Sequence, residues 1–487
     1  MQRYNCFQFI FCAQISFWQY LVLASLLVGC QQSKPTVERP PNIMILLVDD
    51  MGYGDLGCYG GKALTPNLDE LAEQGLRFTN CYAGGPNCSP SRVALLTGRS
   101  PARVGMYSYR PAHHPMHLRA EELTIAEALS SQGYQTAHVG KWHLGCLPQD
   151  SNLIHPQPID QGFQYSLGTE NNARPSHLNP VNFLRNGEAL DTMEGYACQI
   201  LANEVSFWLE HERSAPDPFF MYVAFHEPHA KIASPPDLID HYPDEPRKDA
   251  EYLANIENLD LAIGRILDDL QDHALLENTL IFFASDNGSY RHASNGNLRA
   301  VKSYVYEGGI RVPGIISWKN KFEKSTISEA VSFVDLFPTI CDVTGFDIPS
   351  RLNYDGQSIL ALLEGSQFVR KHPLFWFFYR TSPEMALRWN DQVILGSDFD
   401  TLPVTHRFSD TDMKYIRQMS FTKYELYNLE TDPRQEENLF KPEDSTSISM
   451  RKLLDQKLSE IKQDGYLWKN LPAISDTAKY KRDWVRY

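Results

Sequence analysis

The chain contains no Cys-x-x-Cys pair, no run of lysines and arginines, no internal repeat and no low-complexity tract. Without paired cysteines, a structural zinc module has no ligands at the usual spacing. Without a basic stripe, and with a formal net charge of -15, the chain is unsuited to nucleic acid, so no nucleic-acid partner is expected. Without repeats the 487 residues do not form a solenoid, and their length suits a large core plus a second, smaller domain. A long uninterrupted apolar run is also missing. Residues 1–29 carry Arg3, are broken by Gln8, Gln14 and Gln19, and leave only 20–29 cleanly apolar, which is short for a bilayer span.

What that N-terminal stretch has instead is the make-up of an export signal. It closes on Leu27-Val28-Gly29-Cys30, which resembles a bacterial lipobox, and the resemblance implies signal removal before Cys30 and a lipid on that residue. The expectation is a signal over 1–29, a polar tether over 30–41, and an exported protein lipid-anchored at the bacterial cell envelope. Of the nine cysteines, Cys6 and Cys12 leave with the signal. Cys58, Cys81, Cys146, Cys198 and Cys341 form an odd, scattered set that spells no disulfide framework.

Three apolar runs, 43–48, 219–225 and 280–284, have the length and residue types of strands buried on both faces. Each runs into polar residues: Asp49-Asp50, His226-Glu-Pro-His229, and Ser285-Asp286-Asn287-Gly288. Helical segments lie between them. Thr65-Pro66 opens one that Gly75 closes, Thr124 and Glu127 form a capping box before another, and 252–270 keeps helical spacing. The alternation implies an α/β fold, a large, mostly parallel sheet sandwiched by helices. Ligands in such sheets collect beyond the carboxyl ends of the strands, where all three polar clusters fall. Past residue 350 the buried runs stop. Segments 374–379, 385–394 and 424–429 read as strands of a smaller, mainly antiparallel α+β unit with a helix around 448–461. The domains expected are therefore 42–350 and 351–470, with a tail over 471–487.

The window 88–98, Cys-Ser-Pro-Ser-Arg-Val-Ala-Leu-Leu-Thr-Gly, combines a cysteine with a helix start and stop. Pro90 suits the first helical position and Gly98 the left-handed position past the end. Cys88 is then placed just before a helix N-terminus that favours an anion, with Arg92 in the first turn. Asp49, Asp50, Asp286 and Asn287 offer hard oxygens suited to Ca2+ or Mg2+. Lys141 and His143, in Lys-Trp-His-Leu-Gly, follow a strand expected over 134–139 and come to the same edge. Taken together, Cys-x-Pro-Ser-Arg-x-x-Leu-x-Thr-Gly, Gly-Lys-Trp-His and the lysine segment 298–313 resemble type I sulfatases, strongly over 42–344.

The resemblance implies an alkaline-phosphatase-like fold, and Cys88 oxidised by a maturation system to formylglycine. It implies one Ca2+ on Asp49, Asp50, Asp286 and Asn287. Arg92 and Lys141 would hold nucleophile and sulfate, His229 and Lys302 would serve the leaving group, and His143 would assist breakdown of the sulfated intermediate. Such a site needs an oxygen nucleophile, cations on the sulfate oxygens and an acid for the departing alcohol. A hydrated aldehyde supplies the first, with one hydroxyl to attack sulfur and a second whose deprotonation expels sulfate. Segments 107–115 and 171–177 resemble parts of N-acetylgalactosamine-6-sulfatase-like and arylsulfatase A-like members. His113, His114, Arg174 and His177 are accordingly expected to wall a pocket for a sulfated oligo- or polysaccharide end, with galactose or N-acetylgalactosamine 6-sulfate favoured. The alternative is a phosphodiesterase or phosphonate monoester hydrolase on the same fold.

Overall fold

The computed structural model describes residues 39–111, 114–146, 155–350, 352–380, 382–399, 407–469 and 474–475. The expected signal, Cys30 and most of the tether lie outside the described residues, as do His113 and most of the tail. The unit beginning at Pro41 is built around a sheet of eleven strands. They are β1 (Asn42–Val48), β2 (Leu76–Tyr82), β3 (Gln135–Lys141), β4 (Tyr165–Thr169), β5 (Leu184–Arg185), β6 (Glu188–Ala189), β7 (Phe219–Ala224), β8 (Thr279–Ser285), β9 (Arg311–Ser317), β10 (Ser325–Ile327) and β11 (Val331–Ser332). Their order is β10-β2-β9-β8-β1-β7-β3-β4-β5-β6, with β11 also paired to β2.

The three apolar runs stand side by side as β8-β1-β7, parallel, with β3 and β4 continuing the parallel set. Alternate side chains of β1 feed opposite cores: Ile43, Ile45 and Leu47 pack in one hydrophobic cluster, Met44, Leu46 and Val48 in another. A strand buried on both faces needs this, which is why its sequence is apolar without alternation. β5 and β6 make a hairpin through Asn186 and Gly187, both at positive φ, the turn that Asn-Gly favours.

The helices fall close to expectation. Pro66–Gln74, Ile125–Ser130 with its Thr124–Glu127 capping box, Arg247–Asp272 and Ser445–Asp464 all form. One cap differs. Thr65 does not cap its own helix, because its hydroxyl accepts from Gly57 N–H; the free N–H groups of Asn67 and Leu68 are taken by Asp260, from the long helix.

The second sheet is antiparallel, with strands β12 (Leu374–Tyr379), β13 (Pro383–Trp389), β14 (Gln392–Ser397) and β16 (Lys423–Asn428); β15 (Arg407–Phe408) pairs separately with β17 (Ile474–Ser475). The single strand expected over 385–394 is instead two. Trp389 pairs with Gln392, and Asn390 turns the chain at φ 53°, a left-handed conformation that asparagine tolerates better than most residues.

Candidate active site

At the carboxyl edge of the parallel set the chain's buried polar groups gather. Val48 pairs with Ser285, so Asp49-Asp50 and Asp286-Asn287 leave the sheet together, and Asp286 N–H donates to the Val48 carbonyl at 2.9 Å. Asp50 takes φ 66°, uncommon for a residue with a side chain, and its N–H is held by Asp286 Oδ1 at 3.2 Å.

Cys88 opens the helix Cys88–Thr97, two residues before the Pro90 start that the sequence suggested, because Asn87 takes the cap: its Oδ1 accepts from Cys88 N–H at 3.0 Å. Pro90 is therefore the third helical residue, while Gly98 ends the helix at φ 66° as expected. The Cys88 Sγ lies 3.3 Å from Asp49 Oδ1 and 3.9 Å from Asp50 Oδ1. Lys302 Nζ stands 3.3 Å from the sulfur and also bonds Asp50 Oδ1.

Arg92 is fully buried. Its Nε and Nη2 donate to Asp286 Oδ2 at 3.1 and 2.8 Å and its Nη1 to the Lys141 carbonyl at 2.9 Å, so it grips the acids from below. Lys141, the last residue of β3, reaches Asp49 Oδ2 at 2.5 Å and Asn172 Oδ1 at 2.9 Å. His229, in the loop after β7, has Nε2 3.4 Å from Asp50 Oδ2. The side chains of Arg92, Lys141, Asp49 and Asp286 are 0% exposed, whereas Lys302 is 11% and His229 22% exposed. The site opens on the side of those two residues.

Asp49, Asp50, Cys88 and Asp286 each bring a ligand atom within 4.8 Å of the others. Asn287 adds a carbonyl oxygen that is buried and has no hydrogen-bond partner among the described residues, its Nδ2 being engaged by Asp50 Oδ1 at 2.8 Å. Three carboxylates and an unused amide oxygen are the donor set of a hard divalent cation, and the residues fit such an ion.

Burial alone would raise Asp49, but Lys141, then His229, Arg92 and Lys302, hold it well below the usual carboxylate range. Burial and the neighbouring Asp49 push Asp286 up to about 6. Burial, then Asp286 and Asp49, push the Cys88 thiol well above its usual value, the reverse of the surroundings that ionise a reactive cysteine. Burial would lower Lys302, yet Asp50 and the other anions around it keep it well above its ordinary value. Burial lowers His229, with Asp50 opposing.

His143 bonds the Arg110 carbonyl through Nε2 at 2.8 Å. A carbonyl only accepts, so Nε2 carries the proton there, and Nδ1 is left without a partner among the described residues. Burial and the cations Lys141 and Arg110 hold this ring well below its usual value. Of the residues expected to wall the sugar pocket, Arg174 is exposed, whereas His114 and His177 are buried. His114 Nδ1 accepts from Met116 N–H at 3.2 Å, and His177 Nδ1 lies 3.8 Å from Glu227 Oε1. Gly308 and Gly309 are not at positive φ; a side chain there would meet the Ala300 carbonyl at 2.3 Å and the Tyr304 carbonyl at 2.0 Å.

Sequence reasoning missed two residues of the cluster. Asn87 carried a readable signal, a capping residue directly before the cysteine. Asn172 carried none of its own: its Oδ1 accepts from Lys141, and its Nδ2 lies 3.0 Å from His229 Nδ1, which the Ala230 carbonyl holds at 2.6 Å.

Comparison with known proteins matches residues 41–346 to the family described as Sulfatase, and residues 300–464 to N-sulphoglucosamine sulphohydrolase, C-terminal. Human arylsulfatase A is 34% identical over 440 residues, 83% of this chain and 84% of its own length. Human N-acetylgalactosamine-6-sulfatase is 36% identical over 385 residues, 72% of this chain and 70% of its own. The crystal structure of Ps i-CgsB in complex with k-i-k-neocarrahexaose superposes with a TM-score of 0.76 at 24% identity, over 88% of this chain and 95% of that one.

Proposed function

The chain belongs to the sulfatase family and is a sulfuric ester hydrolase, and from that premise we propose that it removes sulfate from the end of a sulfated polysaccharide. The sugar favoured is galactose or N-acetylgalactosamine carrying a 6-sulfate. Support comes from the relative that acts on N-acetylgalactosamine 6-sulfate by its name, and from the fold neighbour bound to a carrahexaose. The observation that carries the reading is the convergence on Cys88 of Lys302 at 3.3 Å and Asp49 at 3.3 Å, with Lys141 bonded to that same Asp49.

Formylglycine made from Cys88 supplies, when present, an oxygen nucleophile for the sulfur atom, and Ca2+ held by Asp49, Asp50, Asp286 and Asn287 supplies positive charge for the sulfate oxygens. The chain's own groups do the rest. Arg92 fixes Asp286 so that the acids do not splay, Lys141 adds a buried cation beside Asp49, and Asn172 holds Lys141 while the Ala230 carbonyl holds His229. His229 and Lys302 flank Asp50 on the open side, where a departing alcohol oxygen would need a proton. His143, neutral in its buried place, presents Nδ1 as a proton acceptor.

The N-terminal sequence supports export, a lipid on Cys30 and residence at the bacterial envelope, where polymeric substrates are met. The maturation system that oxidises the cysteine is then a required partner. The test is a panel of defined sulfated mono- and oligosaccharides with released sulfate measured by ion chromatography. Preference for 6-sulfated galactose or N-acetylgalactosamine ends is expected; faster cleavage of phosphate diesters, or action on aryl sulfates alone, would overturn it.

A further inference from the structure

Lys302 stands on a segment that both sheets hold. From the large sheet's side, Lys302 N–H donates to the Ser289 carbonyl at 3.0 Å and Ser303 N–H to the Pro86 carbonyl at 2.6 Å. The Ser303 hydroxyl accepts from Asn87 Nδ2 at 2.7 Å, and Asn87 is the cap of the Cys88 helix. From the other side the antiparallel sheet takes the next residues one by one. Arg380 Nη1 donates to the Ser303 carbonyl at 3.3 Å, and its guanidinium lies 4.2 Å above the Tyr304 ring. Glu384 Oε1 accepts from Val305 N–H at 3.2 Å, the Tyr306 hydroxyl donates to Glu425 Oε1 at 2.8 Å, and Gln435 Oε1 accepts from Glu307 N–H at 2.9 Å.

Two features mark Arg380 and Glu384 within this row. Both are buried, 1% and 2% exposed, and they form no close ion pair: Arg380 Nε and Nη2 and Glu384 Oε2 have no hydrogen-bond partner among the described residues, which costs stability rather than supplying it. Ser303 is also held at φ 72°, a strained conformation for a residue with a side chain, which persists only where the surroundings over-determine it. That strained residue is the one directly after Lys302.

We propose that Arg380 is a positioning residue for Lys302: its grip on Ser303 and Tyr304, next to the hold of Glu384 on Val305, keeps the lysine ammonium between Cys88 and Asp50, which makes the antiparallel sheet part of the catalytic machinery. The proposal rests on the reading of Lys302 as a leaving-group residue. Its distinguishing consequence is selective. Loss of a structural brace lowers activity on every substrate alike, whereas a displaced Lys302 harms substrates whose leaving groups need help.

The experiment measures kcat/KM, which reports sulfate transfer from free ester, over aryl sulfates from good to poor leaving groups, for Arg380→Ala, Arg380→Lys and Lys302→Ala. Thermal unfolding is followed in parallel, and rates are scaled to the fraction of protein carrying the Cys88 aldehyde. Arg380→Lys keeps a cation beside Glu384 but lacks the fork, so it serves where Arg380→Ala fails to fold. The expected result is a loss of about 100-fold on the poorest leaving group for Arg380→Ala, the scale of a displacement of about 1 Å. Little loss is expected on the best leaving group, and the dependence steepens in the same sense as for Lys302→Ala. Arg380→Lys should steepen it too. A uniform loss or no loss in both Arg380 variants, while Lys302→Ala steepens, overturns the proposal. No steepening in Lys302→Ala removes the assignment of Lys302, and the proposal falls with it.

Discussion

The two sheets divide the work unequally. The parallel set of the large sheet delivers Asp49, Asp50, Lys141, Asp286 and Asn287 to one edge, each at or just past the end of a buried strand. The antiparallel sheet delivers none of the groups around Cys88, yet it holds residues 303–307 in succession and reaches the approach to the cysteine helix, where Trp376 Nε1 donates to the Ala83 carbonyl at 2.8 Å. One apolar cluster, containing Tyr82, Ala94, Val305, Tyr306 and Trp376, spans both. Parallel strands bring groups together because their ends share an edge; the segment that carries Lys302 is held by contacts from outside that sheet as well.

Substitutions on the large sheet's side should be the most damaging. Cys88→Ala is expected to lower sulfate release by at least about 10³-fold, as losing a nucleophile does, with little change in thermal stability; turnover within tenfold of the parent would place the chemistry elsewhere. Next, Asp286→Ala should remove both a proposed calcium ligand and the anchor of Arg92. Elemental analysis should fall from one calcium per chain to none, with activity down by about 10²–10³-fold, the scale of a lost electrostatic stabiliser. Calcium retained at full stoichiometry would contradict the ligand set.

The antiparallel sheet should show its part in smaller changes. Trp376→Phe leaves the buried Ala83 carbonyl without its partner, at a cost of about 1–3 kcal/mol, read as a Tm lower by several degrees; an unchanged Tm would mean the contact does not anchor the cysteine helix. A further effect is on pH dependence. Burial lifts Glu384 to about 8, with Arg380 and the Val305 N–H opposing and Glu425 adding. An acid raised in the folded state binds its proton more tightly there than when unfolded. Its contribution to stability is therefore complete below the unfolded value of about 4.3 and is lost as pH rises through the folded value. Glu384→Gln, which does not ionise, should lose less stability than the parent between pH 5 and 8. Parallel Tm curves for the two proteins would show that Glu384 does not titrate in that range.

What the sequence disclosed follows the same division. The runs 43–48, 219–225 and 280–284 were legible because burial on both faces leaves no polar residue inside a strand, and Asp49, Asp286 and His229 were legible because they follow such runs. Cys88 and Arg92 were marked by a local window, although Asn87, the true cap, shifted the helix start by two residues. Trp389 to Gln392 was read through as strand, because apolar residues on both sides masked the Asn-Asp turn. Asn172 and the row from Arg380 to Gln435 were not legible at all. Their partners lie 31 to 128 residues away, and neither spacing nor residue type announces a contact made only when the sheets pack. The buried positions of His114 and His177 escaped for the same reason.

The central claim is that the chemistry is carried by Cys88 in modified form, and the most direct test is mass spectrometry of the peptide containing residue 88 from protein made in a host able to convert it, alongside sulfate release by the same preparation. The account predicts an aldehyde in place of the thiol, with specific activity rising in proportion to the converted fraction. A preparation whose Cys88 is entirely an unmodified thiol and which releases sulfate at the full rate would contradict it.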